Sequence, residues 1–273
     1  MRTFLVTLLI VVISSLNYSQ SKSEWFPSGL NIRPFTANLL EARAGSSYLL
    51  SKRKLRLDIG TSSDIYRRIW EDKEFSVGAG LFTFTRLRSE KDFKFPVETI
   101  DYFFGVNAGY KITEGNTQYG FRFRLSHISA HLVDGSYTYP GWTDARIPFV
   151  YSREFVELFP FYQIDRFRLY AGITYIFHVV PTDIGNDIYQ AGFDYYAKPI
   201  FNGTVVPFIA DDFKITSIGS YFGNNILAAG LKFGKWDKAG FSIRLSYYSG
   251  KSIHGELYDL SENYASIGFN VGF

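Results

Sequence analysis

The last nine residues, Ala265-Ser266-Ile267-Gly268-Phe269-Asn270-Val271-Gly272-Phe273, alternate apolar with polar or small side chains without a break. In a β-strand successive side chains point to opposite faces, so Ala265, Ile267, Phe269, Val271 and Phe273 share one face. Ser266, Gly268, Asn270 and Gly272 share the other. The same two-faced pattern recurs upstream. Leu55, Leu57 and Ile59 alternate with Arg56, Asp58 and Gly60, and Phe167, Leu169, Ala171, Ile173 and Tyr175 alternate with Arg168, Tyr170, Gly172 and Thr174. Phe241, Ile243, Leu245 and Tyr247 alternate with Ser242, Arg244 and Ser246.

A soluble β-sandwich also alternates, but its second face does not carry Arg, Asp, Lys and Gly in strand after strand. A transmembrane barrel with an apolar wall and a polar interior does. Composition agrees. The 273 residues include 27 Phe and 20 Tyr, with aromatics at 19%, more than one soluble core would bury and suited to a lipid-facing wall with aromatic girdles. Hydropathy is balanced, and beyond the N-terminus no apolar run is long enough for a membrane-spanning helix. The sequence therefore predicts an all-β fold, an antiparallel transmembrane β-barrel of about twelve strands. These fall near 39–50, 53–61, 75–87, 97–111, 118–132, 146–161, 166–179, 187–197, 203–214, 224–235, 239–250 and 262–273. Residues 62–74, 133–145 and 251–261 are predicted as long loops. Within 74–89 the apolar parity changes after Leu81, which predicts a bulge near Leu81 and Phe82.

Residues 1–20 read as a signal peptide, with Arg2 ahead of the apolar run Phe4–Ile13 and a polar stretch to Gln20. Residues 21–273 form one barrel domain. The expected location is the outer membrane of a Gram-negative cell, with both termini periplasmic. Cysteine is absent, which excludes a disulfide framework, a thiolate zinc site, a thiol nucleophile and a lipoprotein anchor. Net charge is +3, from 29 basic and 26 acidic residues interspersed along the chain, so no footprint for nucleic acid exists. No nucleotide motif, cofactor motif or metal-ligand spacing is present; His178 and His254 stand alone in the sequence. Oligomeric state is left open.

The inward face is predicted to carry Glu41, Arg43, Arg56, Asp58, Asp101, Arg122, Arg124, Arg168, Asp194, Lys232 and Arg244. Mixed signs favour cross-lumen ion pairs and a closed or narrow interior. The alternative is a narrow pore for small anionic solutes, since basic residues are in the majority. The C-terminal strand ending in Phe273 resembles the signal by which outer-membrane barrels are recognised by the barrel assembly machinery. That resemblance implies this machinery and outer-membrane lipids as partners.

One segment carries candidate chemistry. His127, Ser129 and His131 share the parity of Phe121, Phe123 and Leu125, so they are predicted to face lipid near a membrane interface. A His two residues before a Ser brings the imidazole within reach of the hydroxyl and suits it to deprotonate a nucleophile. The pair resembles outer-membrane phospholipase A and lipid A deacylase, barrel enzymes with a His-x-Ser pair on the outer wall. The resemblance implies a lipid ester hydrolase with Ser129 as nucleophile and His127 as base. It departs at Ala130, where the phospholipase has Asn, and no acid or Asn falls cleanly at the third position about a dozen residues on. Among Asp134, Asp144, Glu154 and Glu157, Glu154 is the best placed. It lies opposite His127 if paired positions across the hairpin sum to 281; at 280, Arg153 takes its place. The alternative is a non-enzymatic barrel with a polar interfacial girdle.

A broader resemblance covers most of the mature chain. Ser126-His-Ile-Ser-Ala-His-Leu132, Tyr151-Ser-Arg-Glu-Phe155, Arg168-Leu-Tyr-Ala-Gly172 and Tyr175-Ile-Phe-His178 are similar to a bacterial outer-membrane family of unknown function. Membership implies a barrel and implies no activity.

Overall fold

A computed structural model describes residues 21–272. The signal-peptide reading of 1–20 and the lipid-side placement of Phe273 lie outside the described residues. Fifteen strands are present among them. In chain order they are β1 (Ser21–Trp25), β2 (Ala44–Leu49), β3 (Lys54–Trp70), β4 (Lys73–Arg88), β5 (Val97–Glu114), β6 (Thr117–Leu132), β7 (Tyr137–Thr138) and β8 (Gly141–Trp142). There follow β9 (Tyr151–Ile164), β10 (Phe167–Val180), β11 (Asp187–Tyr196), β12 (Val205–Ile218), β13 (Ser220–Phe233), β14 (Gly240–Lys251) and β15 (Ser261–Gly272).

β7 and β8 form a small ribbon within the loop between β6 and β9. The wall is β2–β6 with β9–β15, twelve antiparallel strands in which β15 pairs β2 to close the ring. Closure leaves no exposed sheet edge for lipid to meet. One end carries the tight turns at 71–72, 115–116 and 165–166, and the other carries the 18-residue connection 133–150.

Parity sorts the side chains as expected. On β6, Phe121 is 42% exposed and Arg122 only 6%; the apolar set lies outside, against lipid, and the charged set inside. All eleven residues predicted to face inward are buried. Arg56 pairs with Asp58 at 2.7 Å, Arg124 with Glu157 at 2.5 Å, and Arg168 with Asp194. Asp101 is taken by loop groups, the His254 ring at 2.6 Å and the Gly255 amide at 2.7 Å. Arg244 has no carboxylate partner among the described residues.

Three expectations need correction. The strand predicted at 39–50 begins only at Ala44, and Glu41 and Arg43 sit on a chain segment inside the barrel. Residues 62–70, predicted as loop, continue β3. Phe82 and Phe84 mark no bulge; they keep the inward parity of β4 and are fully buried with Phe103 and Phe155. The bulges fall elsewhere, between Asp64 and Tyr66, between Arg86 and Leu87, and between Ile176 and His178.

The first wall strand is broken, and this determines the interior. β1 pairs with the far part of β3 (Tyr66–Trp70) and β2 with its near part (Lys54–Asp58). Residues 26–43 between them turn into the lumen as a plug. Outside a sheet, their backbone carbonyls need other donors, and the lumenal cations supply them. Arg168 donates to the carbonyls of Arg33 (2.9 Å) and Pro34 (2.6 Å). Arg56 donates to that of Leu39 and Arg124 to that of Leu40, both at 3.0 Å. Arg122 holds Glu41 through two hydrogen bonds. Phe35 stacks on Tyr170 at 3.9 Å, with the Arg122 and Arg168 guanidinium groups 4.6 and 4.7 Å from its ring.

Candidate functional site

The register between β6 and β9 puts His127 opposite Glu154 and Ser129 opposite Ser152. This is the arrangement in which paired positions sum to 281. Both strands show the same outer face here, so the four side chains stand on the lipid side of the wall close to the end with the long connection. His127 Nδ1 lies 2.5 Å from Glu154 Oε1. Phe104, paired with His127 from β5, packs on the imidazole at a ring separation of 4.7 Å. The ring is thus fixed by the carboxylate on one neighbouring strand and the phenyl on the other. With its Nδ1–H donated to Glu154, His127 keeps a lone pair on Nε2, the form required of a general base.

Ser129 lies two residues along the same face, partly exposed. No hydrogen bond joins its hydroxyl to another described residue. The Ser152 hydroxyl donates to Glu154 Oε1 at 2.9 Å. His131 is exposed farther toward the rim, in an edge-on contact with Tyr102 at 6.0 Å.

His178 completes the group, and its sequence context gave no sign of this. Counted by parity along β10 from Arg168, it belongs inside. The bulge at Phe177 inserts one residue, so Ile176 stays inward opposite Phe155 while His178 turns outward opposite Glu154. Its Nδ1 bonds the second carboxylate oxygen, Oε2. Glu154 therefore sits on the middle strand of three, accepting from His127, His178 and Ser152. Burial is moderate: side-chain exposure is 26% for His127 and 27% for Glu154. His254, also isolated in the sequence, is committed to Asp101 inside the barrel. Among the described residues no group of His and carboxylates is arranged to hold a metal.

Residues 68–273 match the profile of the family described as "Protein of unknown function (DUF1207)". The chain belongs to DUF1207. The match starts within β3, so it takes in the whole His127–Glu154–His178 group and leaves out β1, the plug and β2. No curated protein matches this DUF1207 chain in sequence. Among solved structures it is similar to the Salmonella typhi outer membrane phospholipase, determined as a dimer with bound calcium, at 12% identity and a TM-score of 0.51. That match covers 88% of this chain and 93% of the other. It is similar also to an active-site mutant of Escherichia coli outer membrane phospholipase A, at 13% identity and a TM-score of 0.50, over 89% and 94% of the two chains. At these identities the likeness shows the fold, an outer-membrane type of transmembrane barrel.

Proposed function

We propose that this barrel resides in the outer membrane of a Gram-negative cell and hydrolyses an ester of a membrane lipid from its outer wall. The observation that carries the reading is the 2.5 Å contact between His127 and Glu154 on the lipid side, with Ser129 two residues from the base. Charged and polar groups facing lipid are costly and tend to be kept for a function. In this mechanism Ser129 Oγ attacks the ester carbonyl while His127 Nε2 accepts its proton and returns it to the departing alcohol as the ester C–O bond breaks. A water deprotonated by His127 then releases the fatty acid from acyl-Ser129. Glu154 holds the imidazole in the right tautomer and stabilises the imidazolium. A site open to the bilayer favours a phospholipid or lipid A acyl ester. The Ser129–His127 hydrogen bond then forms on substrate binding, since catalytic hydrogen bonds often tighten only in the complex. In keeping with the location, the C-terminal strand would present the barrel to the assembly machinery, so deleting Phe273 should lower the amount of folded barrel in cells.

Purified barrel in mixed micelles, assayed for fatty-acid release, tests the activity. Ser129→Ala and His127→Ala should each remove most of it, and the double variant little more, because such groups act as a unit. A serine-reactive fluorophosphonate should label the wild type and not Ser129→Ala; labelling that survives the substitution sinks the assignment. The second reading is a barrel without catalysis, its polar trio serving as interfacial girdle. The unbonded Ser129 hydroxyl favours it, and absence of both fatty-acid release and labelling would establish it.

A further inference from the structure

Above the plug, at the end with the long connection, the lumen holds a cavity of about 110 Å³. Its floor is Leu39 and Leu40 of the plug. Its roof comes from residues 181–186 and 252–260, two loops tied by the Tyr258 hydroxyl, which donates to the Asp183 carboxylate at 2.9 Å. Burial and the neighbouring Asp183 push the Tyr258 phenol up to about 12, so it remains a donor at neutral pH. Isoleucines from four elements, Ile184, Ile188, Ile218 and Ile253, make most of the enclosure apolar.

The charges in this cavity do not balance. Glu157 is committed to Arg124 at 2.5 Å, and Asp212 accepts from Tyr170 at 2.7 Å and Gln190 at 2.5 Å. Lys214 shares Asp212 and donates to Asn38 at 2.7 Å. Arg153 is left over. Its guanidinium lies over the Phe155 ring at 5.5 Å, its Nε is buried without a partner, and no carboxylate pairs with it among the described residues. Lys251, at the roof, has only the Asp259 carbonyl (2.7 Å) and the Phe222 ring. Arg153 and Lys251 are half-buried. A cation partly withdrawn from water without a counter-charge carries a desolvation cost that an anion in the cavity offsets.

We infer that this cavity is a binding site for a small organic carboxylate, its anionic end on Arg153 and its apolar body against the isoleucines. Size bounds the class: the cavity is somewhat smaller than the apolar cavity of about 150 Å³ that accepts benzene, so a single ring or a short aliphatic chain is its upper limit and a long acyl chain does not fit. Arg suits the anionic end because its planar fork binds a carboxylate through two hydrogen bonds. The site lies inside the wall and the hydrolase group outside it, so neither depends on the other.

Isothermal titration of the full-length barrel in detergent, with benzoate as probe and benzamide as its neutral isostere, tests the inference. Benzoate should bind saturably, and benzamide about tenfold to a hundredfold more weakly, the range for a charge-assisted hydrogen bond. Arg153→Gln should reduce benzoate to the benzamide level, and Ser129→Ala should leave it unchanged. Ile188→Trp, which fills the cavity and keeps the charge, should abolish binding of both. Heat-dependent migration on gels verifies that each variant is folded. Equal affinity for the two probes, no benzoate binding, or unaltered benzoate binding in Ile188→Trp would overturn the assignment.

Discussion

Glu154 is the residue on which the outer-wall group turns. It accepts from His127, His178 and Ser152 together, yet only its bond to His127 bears on the proposed chemistry. Glu154→Gln retains the shape and loses the charge that favours an imidazolium. Fatty-acid release should then fall on the order of 10³–10⁴-fold, as for neutralising the acid of a serine hydrolase triad. His178→Ala removes a bond on the far oxygen of the same carboxylate and should cost no more than about tenfold, the scale of one charge-assisted hydrogen bond near the surface. Equal losses in the two variants would mean that the carboxylate serves the wall and not the reaction. The pairing of Glu154 with His127 was legible in the sequence as one of two registers. The choice between them was not, because one residue in the 133–150 connection decides it.

Among the elements, the two-faced strands were read from the sequence to within a few residues nearly everywhere. Period-2 alternation is strong when lipid lies on one side and buried charge on the other. It failed where the interior itself is apolar or where the chain leaves the sheet. Phe82 and Phe84 imitate a parity change because the lumen has an aromatic cluster. Residues 39–43 imitate a strand because a plug wedged among charges also alternates. His178 was hidden by the bulge, which has no signature in single-sequence pattern. Deleting Phe177 should therefore return His178 to the inward parity, and the Nδ1 shift of His178 by NMR should lose its carboxylate signature. The plug offers a stability test. Arg168 binds two plug carbonyls, pairs with Asp194 and packs on Phe35. Arg168→Ala leaves a buried carboxylate without its cation, so urea unfolding should show a loss of about 3–5 kcal/mol. The Thr36 amide also donates to Asp194 at 2.9 Å, and a loss below about 1 kcal/mol would mean that this bond alone satisfies the carboxylate.

For the whole molecule, a plug fastened by wall cations, Arg56, Arg122, Arg124, Arg168 and Lys214 among them, argues against free passage of solute. Planar-bilayer recordings of the wild type should show little conductance, and removal of residues 27–43 should open steady currents. Steady currents from the wild type would favour the pore reading instead. The ring also has unequal strands. β2 has six residues, while β9 and β10 each have 14, and β2 is both the first wall strand and the partner of the last. Counting round the wall, it stands directly across from β10, which β9 and β11 flank.

Mechanically, this makes β2 the seam of the ring with the fewest ladder pairs. A bilayer that thickens, thins or presses laterally loads the whole ring, and the load relaxes where the fewest ladder bonds must yield, along β2. The three strands that carry His127, Glu154 and His178 are long and stand on the side of the ring away from β2. The spacing of these groups is thereby insulated from changes in the membrane that the opposite flank absorbs.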